Sequence, residues 1–250
     1  MVHETRTAAI LVTCLVDLFY PEVGVAMVRL LRRHGVQVSV PAGQTCCGLP
    51  LFNSGYHREA ARVARRTIPL FEGAEHVVVP SGSCAWMVKA EYPHLFPGNP
   101  AWTAAAERLA AKTHELSQYL VNVLGINDAG ARPRASKVTY HDSCHLLRGL
   151  GESRAPRTLL ANAGLEVVEL PDAEECCGFG GSFAVRLPDV SGAILRRKLE
   201  NVAATGADTV VACDAGCLMQ MACGAARAGT PVRVRHLAEL LAEEDARGDA

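Results

Sequence analysis

Two adjacent cysteines followed by glycine occur twice in this chain of 250 residues, as Cys46-Cys47-Gly48 and Cys176-Cys177-Gly178. One cysteine stands 32 positions before each pair, Cys14 and Cys144. Another follows an apolar run, Cys84 at 37 positions after Cys47 and Cys217 at 40 after Cys177. Eight of the ten cysteines thus form two matching sets of four. Thiolates are soft ligands that select zinc, copper(I) or iron–sulfur clusters. Neighbouring side chains on an extended strand point to opposite faces, so a cysteine pair converges on one centre only where the backbone turns. The glycine after each pair permits the positive φ of such a turn. Gly48 and the run Gly178-Phe179-Gly180-Gly181 also suit a loop that shields a cluster and donates backbone N–H groups to sulfur.

Three readings compete at this point. The first is an iron–sulfur electron-transfer subunit, which the duplicated spacing favours. The second is a zinc-held scaffold, since four thiolates also satisfy tetrahedral zinc. The third is a metal-free dithiol redox protein that uses the cysteine pairs. In the first two, the expected ligands are Cys14, Cys46, Cys47 and Cys84 in one set, and Cys144, Cys176, Cys177 and Cys217 in the other.

Other reactive residues have plainer readings. Cys223, six positions after Cys217 on a helical pattern, reads as a small buried apolar residue. Cys213 ends an apolar run and is open between ligand and core. His141 and His145 flank Cys144 and read as structural histidines, with donation to a ligand or proton transfer as the alternative. Arg58, Arg62, Arg65 and Arg66 read as a solvated helix face. Trp86 and Trp102 read as core or interface residues.

The elements that must position the cysteines follow from periodicity. Apolar runs at Ala8 to Thr13, His76 to Pro80, Lys137 to His141 and Asp208 to Cys213 read as strands, continuous enough for a parallel sheet covered on both faces. Shorter strands are expected over Gln37 to Pro41 and Glu166 to Leu170. Pro21 opens a helix with Val25, Val28 and Leu31 on one face, Leu30 being a further candidate for it, closed at His34-Gly35. Trp102 to Leu124 has the longest helical pattern. Asp214 stands where a helix cap belongs. A last strand, Pro231 to Arg235, precedes a helix over His236 to Ala246. Alternating strands and helices predict an α/β fold of two pseudo-symmetric lobes, each a small parallel sheet flanked by helices. The lobes are expected over 1–126 and 137–250, joined by a Gly/Pro/Ala-rich linker over 127–136. Loops at the carboxyl ends of parallel strands form the binding crevice, so each four-cysteine set should gather at that edge.

Composition excludes several classes. Residues are 49% hydrophobic and the formal net charge is −1, so nothing points to nucleic-acid binding. The apolar run Ala8 to Val16 is too short for a transmembrane segment and lacks a signal-peptide cleavage pattern. A cytoplasmic location is expected, and ten cysteines there point to metal or redox chemistry rather than disulfides.

The doubled pattern of a cysteine, a Cys-Cys-Gly and a later cysteine resembles the cysteine-rich CCG domain family. Its members include the cysteine-rich subunit of heterodisulfide reductase and the iron–sulfur subunits of glycolate oxidase and anaerobic glycerol-3-phosphate dehydrogenase. The stretches from Cys46 to Gly55, Pro80 to Cys84 and Cys176 to Gly181 are most similar to the stand-alone two-repeat members of the lactate utilization type. The resemblance spans Cys14 to Cys217. It implies an iron–sulfur subunit, with clusters of the 4Fe-4S type, in a cytoplasmic complex that oxidises L-lactate to pyruvate. It also implies companion lactate utilization subunits, one carrying ferredoxin-type clusters. This chain has no Cys-x-x-Cys-x-x-Cys run of its own. In heterodisulfide reductase each motif closes with Cys-x-x-Cys, whose first position here is Ser81 or Asp214. Cys213 lies one residue from that position. The departure leaves a four-ligand cluster, or an oxygen ligand from Ser81 or Asp214, in place of a five-thiolate centre.

Overall fold

Among the described residues, eight short strands divide into two sheets of four, and the strand order is the same in both. A computed structural model describes residues 6–134 and 137–243. Its first sheet contains β1 (Thr7–Ile10), β2 (Gln37–Ser39), β3 (His76–Val79) and β4 (Thr113–Glu115), in the order β2-β1-β3-β4. The second contains β5 (Lys137–Tyr140), β6 (Glu166–Glu169), β7 (Thr209–Ala212) and β8 (Arg233–His236), in the order β6-β5-β7-β8. Every pairing is parallel. The registers also match: Ala8 faces His76 as Val138 faces Thr209. The expected two-lobe α/β architecture with parallel sheets is therefore the architecture found. The central strands β3 and β7 are apolar because helices cover both of their faces.

Helices alternate with the strands, and those that carry Cys14, Cys84 and Cys217 lie just past strand carboxyl ends. The α-helices are α1 (Cys14–Phe19), α2 (Pro21–Arg33), α3 (Leu49–Asn53), α4 (His57–Leu70) and α5 (Gly82–Trp86) in the first lobe, followed by α6 (Pro100–Lys112) and the single turn α7 (Leu116–Gln118). The second lobe contributes α8 (Arg154–Asn162), α9 (Ser182–Arg186), α10 (Pro188–Ala204), α11 (Ala215–Ala228) and α12 (Leu237–Ala242). The end of the helix expected over 236–246 lies outside the described residues.

Two expectations about helices need correction. The pattern from Trp102 to Leu124 is not one helix, because β4 interrupts it to pair with β3. Tertiary pairing overrides helix propensity there. In α2 the buried face is Val23, Ala26, Met27, Leu30 and Leu31, while Val25 points to solvent. The four arginines of the α4 face are exposed as expected, and Arg65 also lies over the Phe96 and Trp102 rings.

Each lobe has its own apolar cluster, and a third cluster is shared. The shared one joins Ile10, Val16, Met27 and Leu30 to Val138, Tyr140, Leu160, Leu237 and Leu241. Ala129 and Ala131, from the segment between the lobes, are fully buried in it. Arg33 ties the same seam by donating to the carbonyls of Leu241 and Ala242, each at 2.9 Å. Gly82 lets the lobes approach closely, since a Cβ there would stand 2.6 Å from Leu146 Cβ.

Candidate metal centre

Each sheet reverses its winding direction between its two inner strands, and the crevice at such a switch point is the usual ligand site of open α/β sheets. Cys14 opens α1 just past β1, Cys84 sits in α5 past β3, and Cys46-Cys47 fills the loop from β2 to α3. The second lobe repeats this with Cys144 past β5, Cys217 in α11 past β7, and Cys176-Cys177 between β6 and α9. The backbone turns at the glycine after each pair, with φ of 91° at Gly48 and 87° at Gly178. That turn brings the glycine N–H back onto the first sulfur of its pair, at 3.4 Å from Cys46 Sγ and 3.3 Å from Cys176 Sγ.

The thiols of each set form a connected chain. In the first lobe the contacts run from Cys14 to Cys46 to Cys47 to Cys84, with Cys47 Sγ and Cys84 Sγ 3.2 Å apart. In the second they run from Cys144 to Cys176 to Cys177 to Cys217. Both chains face one cavity of about 180 Å³ between the lobes, and all eight cysteines line it. Leu15, Leu49 and Phe179 supply much of the apolar wall.

Hydrogen bonding along each sulfur chain favours the charged form of the acceptor and the neutral form of its donors. Hydrogen bonds from Cys14 and then Cys47 bring the Cys46 thiol down to about 3. Hydrogen bonds from Cys144 and then Cys177 bring Cys176 down to about 2. The donors are pushed up by those same bonds, Cys14 and Cys144 with added burial, Cys47 and Cys177 also by their second sulfur neighbour. Cys217 falls to about 7, chiefly through its bond with Cys177. Each set therefore presents at least one thiolate at neutral pH, the form that binds metal.

Buried polar atoms around the cavity lack partners. Thr13 Oγ1, Ser143 Oγ and both ring nitrogens of His141 have no hydrogen bond among the described residues. Thr13 and Ser143 line the cavity, and Thr13 holds a φ of 72°, unusual for a β-branched residue. Leaving a buried polar group unpaired costs about 1–3 kcal/mol. Orphaned donors beside two thiolate-bearing sulfur chains fit a bound metal or iron–sulfur group, and the soft donor set suits one.

The family model of the CCG cysteine-rich domain matches residues 8–89 and 138–222, one match per lobe. The chain belongs to the CCG cysteine-rich domain family. Each CCG repeat carries one of the four-cysteine chains described above. Among its relatives, lactate utilization protein A of Anoxybacillus flavithermus is 50% identical over 92% of this chain and 96% of its own length. The proteins of the same name from Geobacillus kaustophilus and Geobacillus thermodenitrificans are 49% and 48% identical, each over 93% of this chain and 97% of its own. Among the described residues, no helix is long and apolar enough to cross a membrane.

The other sequence candidates take different places around the CCG repeats. Ser81 and Asp214 do line the cavity, but their oxygens are engaged across the lobe seam. Ser81 caps α5 by accepting from the Cys84 N–H, and its hydroxyl donates to Asp214 Oδ2 at 2.9 Å. Asp214 also accepts from the Ser83 N–H at 3.0 Å and, through its other oxygen, from the Gly216 N–H at the start of α11. Cys213 is fully buried outside the cavity wall, with the Tyr140 hydroxyl donating to its sulfur at 3.4 Å. Cys223 is exposed, not buried as its pattern suggested, because its side of α11 faces solvent. His145 packs its ring on Trp86 with centroids 4.7 Å apart, and its Nδ1 is 3.7 Å from Cys144 Sγ. Thr13 and Ser143 went unnoticed in the sequence, although aligning the two repeats on Cys14 and Cys144 pairs them.

Proposed function

We propose that this chain is an iron–sulfur electron-transfer subunit of a cytoplasmic complex that oxidises L-lactate to pyruvate. In this reading Cys14, Cys46, Cys47 and Cys84 hold one cluster and Cys144, Cys176, Cys177 and Cys217 a second, of the 4Fe-4S type. The observation that carries it is the convergence of all eight thiols on one inter-lobe cavity. The lactate link rests on the names of relatives that align over nearly the whole chain. The two repeats, 1–126 and 137–250 with 127–136 between them, act as one electron-carrying unit.

A bound cluster supplies one-electron transfer at low reorganisation. The protein's own residues do the rest. The Gly48 and Gly178 N–H groups donate to sulfur and stabilise its negative charge. Leu15, Leu49 and Phe179 give the cavity an apolar lining. The Ser81–Asp214 bond fixes α5 against α11, so the two thiol sets keep a constant separation. In this reading the lactate site belongs to a companion subunit, and another companion carries ferredoxin-type clusters.

Iron and acid-labile sulfide analysis of anaerobically purified chain tests the cofactor, with both expected. Zinc without sulfide would favour the scaffold reading instead. Lactate oxidation with an artificial acceptor tests the division of labour. Activity is expected only when companion subunits are present, and activity of the isolated chain would overturn it.

A further inference from the structure

One of the positions at which the two CCG repeats differ beside the thiols is the third residue before the first cysteine of each set. His141 directly follows β5, and its N–H donates to the Val211 carbonyl at 2.9 Å. Leu11 holds the matching place after β1, its N–H donating to the Val78 carbonyl at 3.1 Å. Both side chains are buried, at 0% exposure for His141 and 2% for Leu11. The fold thus accepts a leucine in this seat, and an imidazole is not needed for packing. Yet the imidazole is present, and neither ring nitrogen makes a well-formed hydrogen bond to a described residue; the Cys217 thiol is the group beside it. That arrangement costs about 1–3 kcal/mol for each unpaired atom unless a ligand satisfies it.

A ring nitrogen of His141 and the sulfurs of Cys177 and Cys217 all lie within 4.8 Å of one another. At metal–sulfur and metal–nitrogen bonds of about 2.3 and 2.1 Å, a tetrahedral metal atom sets two such donors about 3.6 Å apart. Small side-chain rotations close the remaining gap. His145 is a poorer donor, since its ring is half-buried against Trp86.

We propose that His141 is a nitrogen ligand of the centre in the second lobe. The first lobe then holds its centre by sulfur alone and the second by sulfur and nitrogen. Unlike ligands give unlike reduction potentials, so an electron crossing the cavity meets two inequivalent sites. The proposal rests on the metal-binding reading above.

The test uses the full chain, purified anaerobically, labelled with 15N-histidine and reduced for pulsed electron paramagnetic resonance. Metal and sulfide content are measured on the same samples. A histidine-nitrogen coupling is expected in the wild type and in Cys47→Ala, and should vanish in His141→Leu and in Cys177→Ala. The two cysteine variants locate the coupling even if His141→Leu fails to fold. Iron in both lobes without a histidine coupling, or a coupling that survives in His141→Leu, would overturn the assignment while leaving the iron–sulfur reading in place. If the metal is zinc alone, X-ray absorption decides. A nitrogen lost in His141→Leu upholds the assignment while the iron reading falls, and a sulfur-only shell overturns both. Metal-free protein also overturns both.

Discussion

The two lobes share a thiol frame but not its surroundings. Both place four cysteines after matching strands, and both turn at a glycine with φ near 90°. Around that frame, Leu11 in the first lobe answers to His141 in the second, Ser81 to Asp214, and Glu115 to His236. The last pair ends β4 and β8, each residue fully buried and each capping the helical turn that follows. Duplication has kept what positions sulfur and varied what tunes it. Chemistry that belongs to the cysteines should therefore be equal in the two lobes, and responses that depend on their neighbours should differ.

The largest difference is expected at the motif glycines. Both need positive φ, which costs a residue with a Cβ about 1–3 kcal/mol. At Gly178 a Cβ would also stand 2.6 Å from the Ser191 carbonyl oxygen, whereas at Gly48 the nearest atom is 3.6 Å away. Gly178→Ala should lose more than about 3 kcal/mol and Gly48→Ala about 1–2 kcal/mol. Urea midpoints check this, and equal losses would mean that the second loop relaxes freely.

Next comes the response to pH. Burial raises Glu115 from 4.5 to about 7, and burial lowers His236 from 6.5 to about 4. Between pH 4.5 and 7 the folded state holds the Glu115 proton more tightly. Its contribution is therefore full below 4.5 and lost as pH rises through 7. His236 has the opposite sign: the unfolded state binds the proton more tightly, so its contribution is full above 6.5 and lost as pH falls through 4. His236 Nδ1 accepts from the Ala238 N–H, so Nε2 carries the hydrogen and donates to the Pro80 carbonyl at 3.0 Å. Protonation breaks the bond to Ala238. Glu115→Gln should flatten the alkaline side of the stability profile by about 2–3 kcal/mol, and His236→Asn should flatten the acid side. Denaturation from pH 4 to 8 reads both, and matching changes in the two variants would contradict the comparison.

A smaller contrast lies in the seam pair. Asp214→Ala removes the acceptor of three donors, the Ser81 hydroxyl and the N–H groups of Ser83 and Gly216. It should cost about 2–3 kcal/mol. Ser81→Ala removes one cap and one donor and should cost about 1 kcal/mol. Thermal unfolding of the two variants orders them, and a larger loss for Ser81→Ala would show that the first lobe's cap, not the seam carboxylate, holds the helices together.

Much of the frame was legible in the residue order because it depends on local chemistry. The repeat of cysteine spacings located the two lobes, apolar runs located the inner strands, and glycine after each pair marked the turns. What escaped depends on contacts between distant segments. Thr113 to Glu115 continue a helical pattern with no proline or glycine to stop it, and only pairing with β3 makes them a strand. Nothing near Ala129 marks it as part of a core that both lobes share. Ser81 and Asp214 were legible as departures from a Cys-x-x-Cys ending, but their bond joins residues 133 positions apart. His141 drew notice beside Cys144, yet only its counterpart Leu11 and its place against Cys177 and Cys217 give it a distinct role.

Iron and acid-labile sulfide per chain, measured on anaerobically purified wild type, Cys47→Ala, Cys177→Ala and the double variant, test the central claim most directly. The account predicts that each single variant keeps about half of the wild-type iron and sulfide, because each lobe holds its own connected chain of four thiols. The double variant should keep almost none. Unchanged iron in Cys177→Ala, or loss of all iron in either single variant, would contradict two independent four-cysteine centres.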